Sequence, residues 1–318
     1  MKNHVVSFLI VVAALVAGAA EARRRADPPP APWGHPGPRA PQPPVQVIIK
    51  YVTRPDPPPA PPLEFGEDLA RLWAVIRPDA ELNRITAEFR RAWLSVAMPF
   101  LAGLVPRDVP RTVVYPFGGG DLVGALATFP DATDITTISL EPAGEAAAMF
   151  KGGGVGWRLA EVRKDIGFLL RQAFSRTEDM DEQIEEQIPA QLVYSLMALA
   201  VHGFEPVGLK YFRFAPNGEV KYWNEPDLKQ QIHLGNTHVW DNMELRFRAP
   251  GEGAPERVHR HIYRDLSDNR FEKDPALLKF LQSKGPVSAM TKACSYLLWE
   301  NGFSVIRKYL LDYSMWMI

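Results

Sequence analysis

The chain has 318 residues, a formal net charge of −1 and one cysteine. A charge this close to zero supplies no overall field that attracts nucleic acid or an anionic membrane, so we expect no nucleic-acid partner. One cysteine excludes an intrachain disulfide, so the fold has to rest on packing, and the apolar run around Cys294 predicts a buried thiol.

Residues 1–22 have the pattern of a cleavable signal peptide. Lys2 precedes a short apolar run that ends in Ala20-Glu21-Ala22, an A-x-A cleavage signal. The run is shorter than the ~20 apolar residues that span a bilayer. We therefore expect a protein exported to the periplasm or the exterior after cleavage near Ala22, with no transmembrane span in the mature chain.

Residues 23–62 begin with three arginines and then become rich in proline. Proline fixes φ and has no backbone donor, so this stretch predicts an extended polyproline II spacer without a core. Residues 45–52 interrupt the spacer with the composition of a β-strand. They are either a short strand that docks on the body or a peptide motif for an envelope partner.

Residues 63–318 predict a globular α/β or α+β domain with a mixed sheet flanked by helices. The domain opens with a helical lead-in, in which one helix covers residues 65–76 and Asp79 caps a second helix. Six apolar residues recur at helical spacing in the second helix and are expected to face the core: Leu82, Ile85, Phe89, Trp93, Val96 and Phe100.

The central pattern alternates strands and helices, and antiparallel hairpins follow it. Asn217-Gly218 is a strong hairpin signal because both residues tolerate positive φ. The predicted helices are 121–129, 157–174, 189–201, 275–282, 291–299 and one from 303 onward, and the predicted strands are 112–117, 135–140, 207–214, 219–223, 244–248 and 257–263. Residues 315–318 are apolar and uncapped, so we expect either a truncated chain or a tightly packed end.

The unit between Val113 and Glu141 is the best candidate for a ligand site. It reads as a strand, a glycine-rich turn, a helix, a second strand and an acidic residue, which is the layout of half a nucleotide-binding fold. The candidate ligand-binding residues lie at the carboxyl ends of the two strands: Tyr115, Gly118, Gly119, Gly120, Asp121 and Glu141.

The details of this unit argue against a nucleotide or S-adenosylmethionine. The sequence G-G-G-D departs from G-x-G-x-x-G, and Asp121 puts a carboxylate where a phosphate would bind. An exported protein also works where such cofactors are scarce. We therefore predict no cofactor, and interpret the unit either as a structural βαβ turn or as a site for another ligand.

Other polar clusters have both functional and structural interpretations. His259 and His261 share one face of a predicted strand and are the candidates for a metal site, but their spacing matches no common metal motif, so we predict a polar sheet face. Asp265 and Asp268 are either a carboxylate pair for acid–base chemistry or turn residues. Three aromatic residues near the hairpin either form a platform for a sugar or pack in the core: Tyr222, Trp223 and Trp240.

Two blocks resemble an uncharacterised family of exported bacterial proteins. The first has the signature YPFGGxD…FPD…LEPxG, beginning at Tyr115, and the second has KAxSYLL…FSxIR, beginning at Lys292. The resemblance spans residues 112–313, and the relatives run on past this point. It implies an envelope location and no known activity, so it carries over no catalytic residue.

Two hypotheses for the function remain. The first is an exported envelope protein that acts as a binding or structural module, with an envelope protein or cell-wall material as its partner. The sequence contains no G-x-S-x-G, S-x-x-K or H-E-x-x-H motif, which supports it. The alternative is an enzyme, a Rossmann-like transferase or hydrolase, with its site at residues 118–121 and Glu141. Convergence of Tyr115, Asp121, Glu141 and residues 292–296 on one open pocket would favour the enzyme. Burial of the 118–121 loop and Glu141 in salt bridges, away from any cleft, would count against it.

Overall fold

An eight-stranded mixed sheet organises the described part of the chain. The computed structural model describes residues 60–171, 188–292 and 294–318. The predicted signal peptide, residues 23–59 of the predicted spacer and the predicted strand at 45–52 lie outside the described residues. Pro58–Ile318 form one compact unit.

Helices pack on both faces of the sheet. The α-helices of the described residues are α1 (Gly66–Ile76), α2 (Ala80–Phe89), α3 (Ser95–Leu104), α4 (Leu122–Thr128), α5 (Val155–Arg171), α6 (Ala190–His202), α7 (Glu225–His233), α8 (Asp268–Lys273), α9 (Ala276–Ser283) and α10 (Ser304–Tyr313). A π-helical turn occupies Arg90–Leu94, and 3₁₀ turns occupy Ala146–Gly153, Thr237–Trp240 and Ser295–Leu298.

The sheet combines a parallel and an antiparallel part. Its strands are β1 (Thr112–Tyr115), β2 (Asp134–Ser139), β3 (Glu205–Phe214), β4 (Val220–Tyr222), β5 (Asn242–Arg248), β6 (Arg257–Tyr263), β7 (Val287–Ala289) and β8 (Ser314–Met317). The order is β4-β3-β5-β6-β2-β1-β7-β8. The five neighbouring strands β6, β2, β1, β7 and β8 run parallel to one another. The neighbours β4, β3, β5 and β6 pair antiparallel.

Each face of the sheet has its own hydrophobic core. The larger core lies under α1, α2 and α4 to α6 and includes Tyr115, Ile135 and Tyr211. The smaller core lies under α8 to α10 and includes Val114 and Phe212. Successive strand residues point to opposite faces, which is why neighbours such as Val114 and Tyr115 belong to different cores.

The predicted fold class is confirmed. The helical lead-in, the mixed sheet and the antiparallel hairpins of the C-terminal half are all present. The predicted hairpin joins β3 to β4, and Gly218 in its turn has φ of 87°. A Cβ on Gly218 would lie 2.7 Å from the backbone nitrogen of Phe280, so the turn needs glycine for space as well as for its dihedral angle.

The helix predicted to run from Asp79 to Phe100 is interrupted, which corrects its core face. The π-helical turn shifts the angular phase of the residues after it. Val96 and Phe100 are consequently 68% and 65% exposed instead of buried. Arg90 starts this turn, and its guanidinium donates hydrogen bonds to the carbonyls at the C-terminus of α6, including that of Val201 at 2.6 Å.

The C-terminal predictions also need correction. The helix predicted at residues 291–299 is only the 3₁₀ turn Ser295–Leu298. The last helix ends at Tyr313, and the apolar residues after it form β8, which pairs parallel to β7. Thr291 donates its N–H to the carbonyl of Ile318 at 2.7 Å. Strand pairing therefore explains why these residues are apolar and carry no helix stop.

Candidate functional site

The predicted ligand loop after β1 is built around a buried carboxylate. Asp121 is 2% exposed and caps α4 by accepting a hydrogen bond from the Gly124 N–H at 2.9 Å. The Tyr115 hydroxyl donates to Asp121 Oδ2 at 2.9 Å, and Lys292 Nζ donates to the same oxygen at 2.8 Å. Residues of both signature blocks thus meet, and they meet in an ion pair around a buried carboxylate.

Burial governs the electrostatics of Asp121. Desolvation raises the pKa of this carboxyl group above its usual value, and the charge and hydrogen bond of Lys292 only partly oppose that rise. Removing Lys292 would leave the carboxylate of Asp121 buried without a cation.

The glycines of the loop allow close packing. A Cβ on Gly118 would lie 2.3 Å from the ring of Tyr115, so the ring occupies the space that any other side chain would need. A Cβ on Gly119 would lie 3.2 Å from the Cβ of Ser139, which is closer than most such contacts. These two glycines therefore serve contacts within the protein.

Aromatic side chains fill the crevice next to this loop. The chain leaves β1 toward β2 through α4 and leaves β7 toward β8 through α10, on the opposite face, so the carboxyl ends of β1 and β7 are a topological switch point. Phe117 stacks there on Tyr296 with ring centroids 6.2 Å apart, and Phe303 meets both rings edge-on. These three rings therefore occupy part of the position where such a sheet usually binds its ligand.

Cys294 belongs to the same closed region. The predicted burial of its thiol is confirmed, and the thiol donates to the Pro116 carbonyl at 2.9 Å. Burial raises the pKa of the Cys294 thiol to about 12, so the residue is a thiol at neutral pH.

Glu141 is the remaining acidic candidate, and it is also buried, with 3% of its surface exposed. Its N–H donates to Ser139 Oγ at 3.2 Å, and its carbonyl accepts a hydrogen bond from His261 Nε2 at 2.8 Å. Glu141 lies at the end of β2 while Asp121 follows β1, so each carboxylate has its own set of neighbours. Their role in ligand binding stays a prediction, and the geometry favours a structural role.

The two histidines of β6 form a buried hydrogen-bonded series. The Nε2–H of His261 donates to the Glu141 carbonyl, so in the neutral ring Nδ1 is an acceptor. Nδ1 accepts a hydrogen bond from the Thr137 hydroxyl at 3.3 Å. The Thr137 oxygen then accepts from His259 Nε2 at 2.9 Å. Burial lowers the pKa of His259 to about 3 and that of His261 to about 4, so both rings are neutral at pH 7.

The described residues show no arrangement of three or more His, Cys, Asp or Glu side chains that could hold a metal ion. Within the same residues, no helix has the length and apolar character needed to cross a bilayer.

A cavity of about 660 Å³ opens elsewhere on the same edge of the sheet. We call it the β2–β6 cleft, since Leu140 follows β2, Tyr263 ends β6, and Arg264 and Asp265 come directly after β6. The cleft is also lined by the carboxyl end of β3, by Trp223 directly after β4, and by α7. Its polar lining includes Arg213, Trp223, Asp227, Gln230, Asn236, His238, Asp241, Arg264, Asp265 and Asp274.

A second cavity of about 580 Å³ adjoins the cleft and shares part of its wall. The shared residues are Asn236, His238, Asp241 and Tyr263. The Nδ1–H of exposed His238 donates to Asp241 Oδ2 at 3.0 Å, and burial raises the pKa of Asp241 despite this partner. The side chains between the two cavities therefore hold one another in position.

The three aromatic residues near the hairpin do not form an open platform. The Trp223 ring is 6% exposed and lies under the guanidinium of Arg213, 4.9 Å from the ring centroid. Trp240 packs edge-on against Tyr211 with centroids 4.8 Å apart, and the Tyr222 hydroxyl is hydrogen-bonded to Glu244. These contacts favour the alternative interpretation, core packing, although Trp223 still lines the cleft.

Asp265 lines the cleft, and it does not form the carboxylate pair with Asp268 that was one of the two interpretations. The Asp265 carboxylate accepts hydrogen bonds from the N–H and hydroxyl of Ser267. Asp268 instead accepts from Ser304 and Val305 at the start of α10. The two carboxylates are therefore turn and cap residues, as the structural interpretation had it.

Sequence reasoning missed the cleft because distant segments build it. It also missed α7, although a signal was present: Asn224 caps this helix by accepting from the Asp227 N–H at 2.9 Å, and a proline occupies its first turn.

No protein-family model matches the chain, and no curated protein and no solved structure shows detectable similarity to it.

Proposed function

We propose that the protein is an exported envelope protein that binds a small polar ligand, or an exposed group of cell-wall material, in the β2–β6 cleft. The observation that carries this proposal is the cleft itself: a 660 Å³ cavity at the carboxyl ends of β2, β3 and β6, lined by hydrogen-bonding side chains. Cavities of ~300–1,000 Å³ are typical of small-molecule sites. The N-terminal sequence pattern supports export.

Binding to cell-wall material tests the cleft directly. Gln230 is an exposed residue of α7 that lines the cleft, so a tryptophan there would fill it. His233 is exposed on the same helix and outside the lining, which makes it a matched control. We expect the wild type and His233→Trp to sediment with purified cell-wall sacculi and Gln230→Trp to stay in the supernatant. Equal sedimentation of all three would contradict binding through the cleft.

Export has a separate test. The A-x-A signal supports cleavage after Ala22. Amino-terminal sequencing of the chain from the envelope fraction should begin at Arg23. A folded cytosolic chain that starts at Met1 would contradict the export proposal and leave the cleft proposal untouched.

The enzyme alternative has one specific observation in its favour. Phe117 has a positive φ of 50° directly after β1, and backbone strain of this kind concentrates at functional sites. Against it, the carboxylate of Asp121 is buried and engaged by Tyr115 and Lys292. We expect an Asp121→Asn, Glu141→Gln double variant to complement a deletion strain in proportion to the amount of folded protein. Loss of complementation at an unchanged level of folded protein would favour the enzyme.

A further inference from the structure

Two buried donors in the β2–β6 cleft have no acceptor. Within the described part of the chain, neither the indole Nε1 of Trp223 nor the Nε of Arg264 makes a hydrogen bond, and both residues line the cleft. A buried donor without a partner is costly, and native proteins satisfy such groups with protein, water or ligand acceptors. Two side chains of the cleft wall thus each carry an enclosed N–H group without a protein acceptor.

The acidic residues of the cleft do not balance these donors. Asp241 accepts from His238, and Asp265 accepts from Ser267. Asp274 accepts from the Ala276 N–H and from Arg264 at 2.6 Å. Asp227, the fourth acidic residue of the lining, accepts from the Asn224 amide at 3.2 Å. Each of the four carboxylates is thus hydrogen-bonded to a neighbouring side chain or backbone group.

Arg213 adds a positive charge without an acidic partner. Among the described residues its guanidinium has no carboxylate within ion-pair distance, and its contact is the face of Trp223. A stacked guanidinium is held in one plane and keeps its N–H groups at the edge, where they can bind both oxygens of a carboxylate. The unpaired charge and the Trp223 donor belong to neighbouring side chains.

We infer that the β2–β6 cleft binds a ligand through a carboxylate, with Arg213 as the charged contact. This inference rests on the proposed function of the cleft. A carboxylate on a polar body has two common sources in cell-wall material, the end of a peptide and an acidic sugar. Both present the same pair of anionic oxygens.

Calorimetric titration of the full chain with four probes tests the inference and separates the two sources. The probes are N-acetyl-alanyl-alanine, its C-terminal amide, glucuronic acid and glucuronamide. We expect at least one acid to bind about tenfold more tightly than its own amide, as one charge-assisted hydrogen-bonded pair allows. The acid that shows this preference identifies the source.

Variants then locate the contact. Arg213→Gln should remove the preference for the acid over the amide. Arg71→Gln should keep it, because Arg71 is also exposed and lies over an aromatic ring, 4.2 Å from the centroid of Phe150, but does not line the cleft. Circular dichroism should show both variants folded.

Three results would overturn the inference. They are equal affinities for acid and amide, a preference that survives Arg213→Gln, and no binding of any probe. None of these touches the proposed function, which fails only when Gln230→Trp sediments with sacculi as the wild type does. A cleft that binds wall material without a preference for carboxylates would therefore be recognised as such.

Discussion

At the scale of single residues, the ion pair between Lys292 and Asp121 links two distant parts of the sequence. Asp121 caps α4 and is enclosed by the glycine-rich turn, while Lys292 follows β7 and reaches the same oxygen that Tyr115 binds. A carboxylate buried in this way is tolerated only with a charged or hydrogen-bonding partner. The pair therefore joins the carboxyl ends of β1 and β7.

Replacing Lys292 with methionine should destabilise the fold. The change keeps much of the side-chain volume but leaves Asp121 buried without a cation. We expect the free energy of unfolding in urea to fall by about 1–3 kcal/mol, below the range for a fully buried pair because Lys292 is partly exposed. Lys273→Met on the exposed surface of α8 is the control and should change it by less than about 0.5 kcal/mol. Equal effects of the two variants would contradict a stabilising pair.

At the scale of elements, the lead-in shows how one irregular turn changes what a helix buries. α2 packs Leu82 and Phe89 in the core, but the π-helical turn rotates α3 so that none of its side chains is fully buried. Arg90 holds this turn against the C-terminal carbonyls of α6. A tertiary contact between distant segments thus overrides the regular apolar spacing of the sequence.

Substitutions on α2 and α3 test this phase shift. Phe100→Glu should change the free energy of unfolding by less than about 0.5 kcal/mol, because the side chain is exposed. Phe89→Ala should cost about 3–5 kcal/mol, because the ring is buried and stacks on Trp93. Urea unfolding of both variants measures the difference. A large loss of stability in Phe100→Glu would contradict the phase shift and support the uninterrupted helix predicted from the sequence.

Local signals explain which elements the sequence could predict. The cap at Asp121, the Asn217-Gly218 turn and the alternation along β6 each depend on neighbouring residues, and each element is present. Lys292 is 171 positions from Asp121, so nothing local marks it as the partner. The cleft could not be predicted from the sequence for the same reason, because strand order and loop placement decide which polar residues share a cavity. β8 was missed because four apolar residues after a helix also continue a helical pattern.

At the scale of the whole molecule, neutral buried histidines couple stability to pH. Burial lowers the pKa of His259 and His261, and desolvation also lowers the pKa of His202, which donates toward the Val123 carbonyl. The unfolded chain binds protons at these sites near pH 6.5, whereas the folded protein does so only at lower pH. Since the unfolded state holds more protons at these three histidines in this window, their contribution to stability falls as the pH falls.

Urea unfolding between pH 7 and pH 5 should show this loss. Each histidine contributes up to about 1.4 kcal/mol per pH unit below its unfolded pKa of about 6.5, until the pH reaches its folded pKa. A His259→Gln variant should be less stable at pH 7 but have a shallower slope, because one titrating group is gone. A slope equal to that of the wild type would mean that His259 is not held neutral in the folded protein.

We propose ligand binding in the β2–β6 cleft and a structural role for the loop after β1. Hydrogen exchange of the full chain, measured with and without soluble cell-wall fragments, distinguishes these two regions in one experiment. We predict slower exchange at the backbone amides of α7 and of residues 263–265, with the 118–121 loop unchanged. Protection confined to residues 118–121 and Glu141 would contradict the account and assign the site to the buried loop.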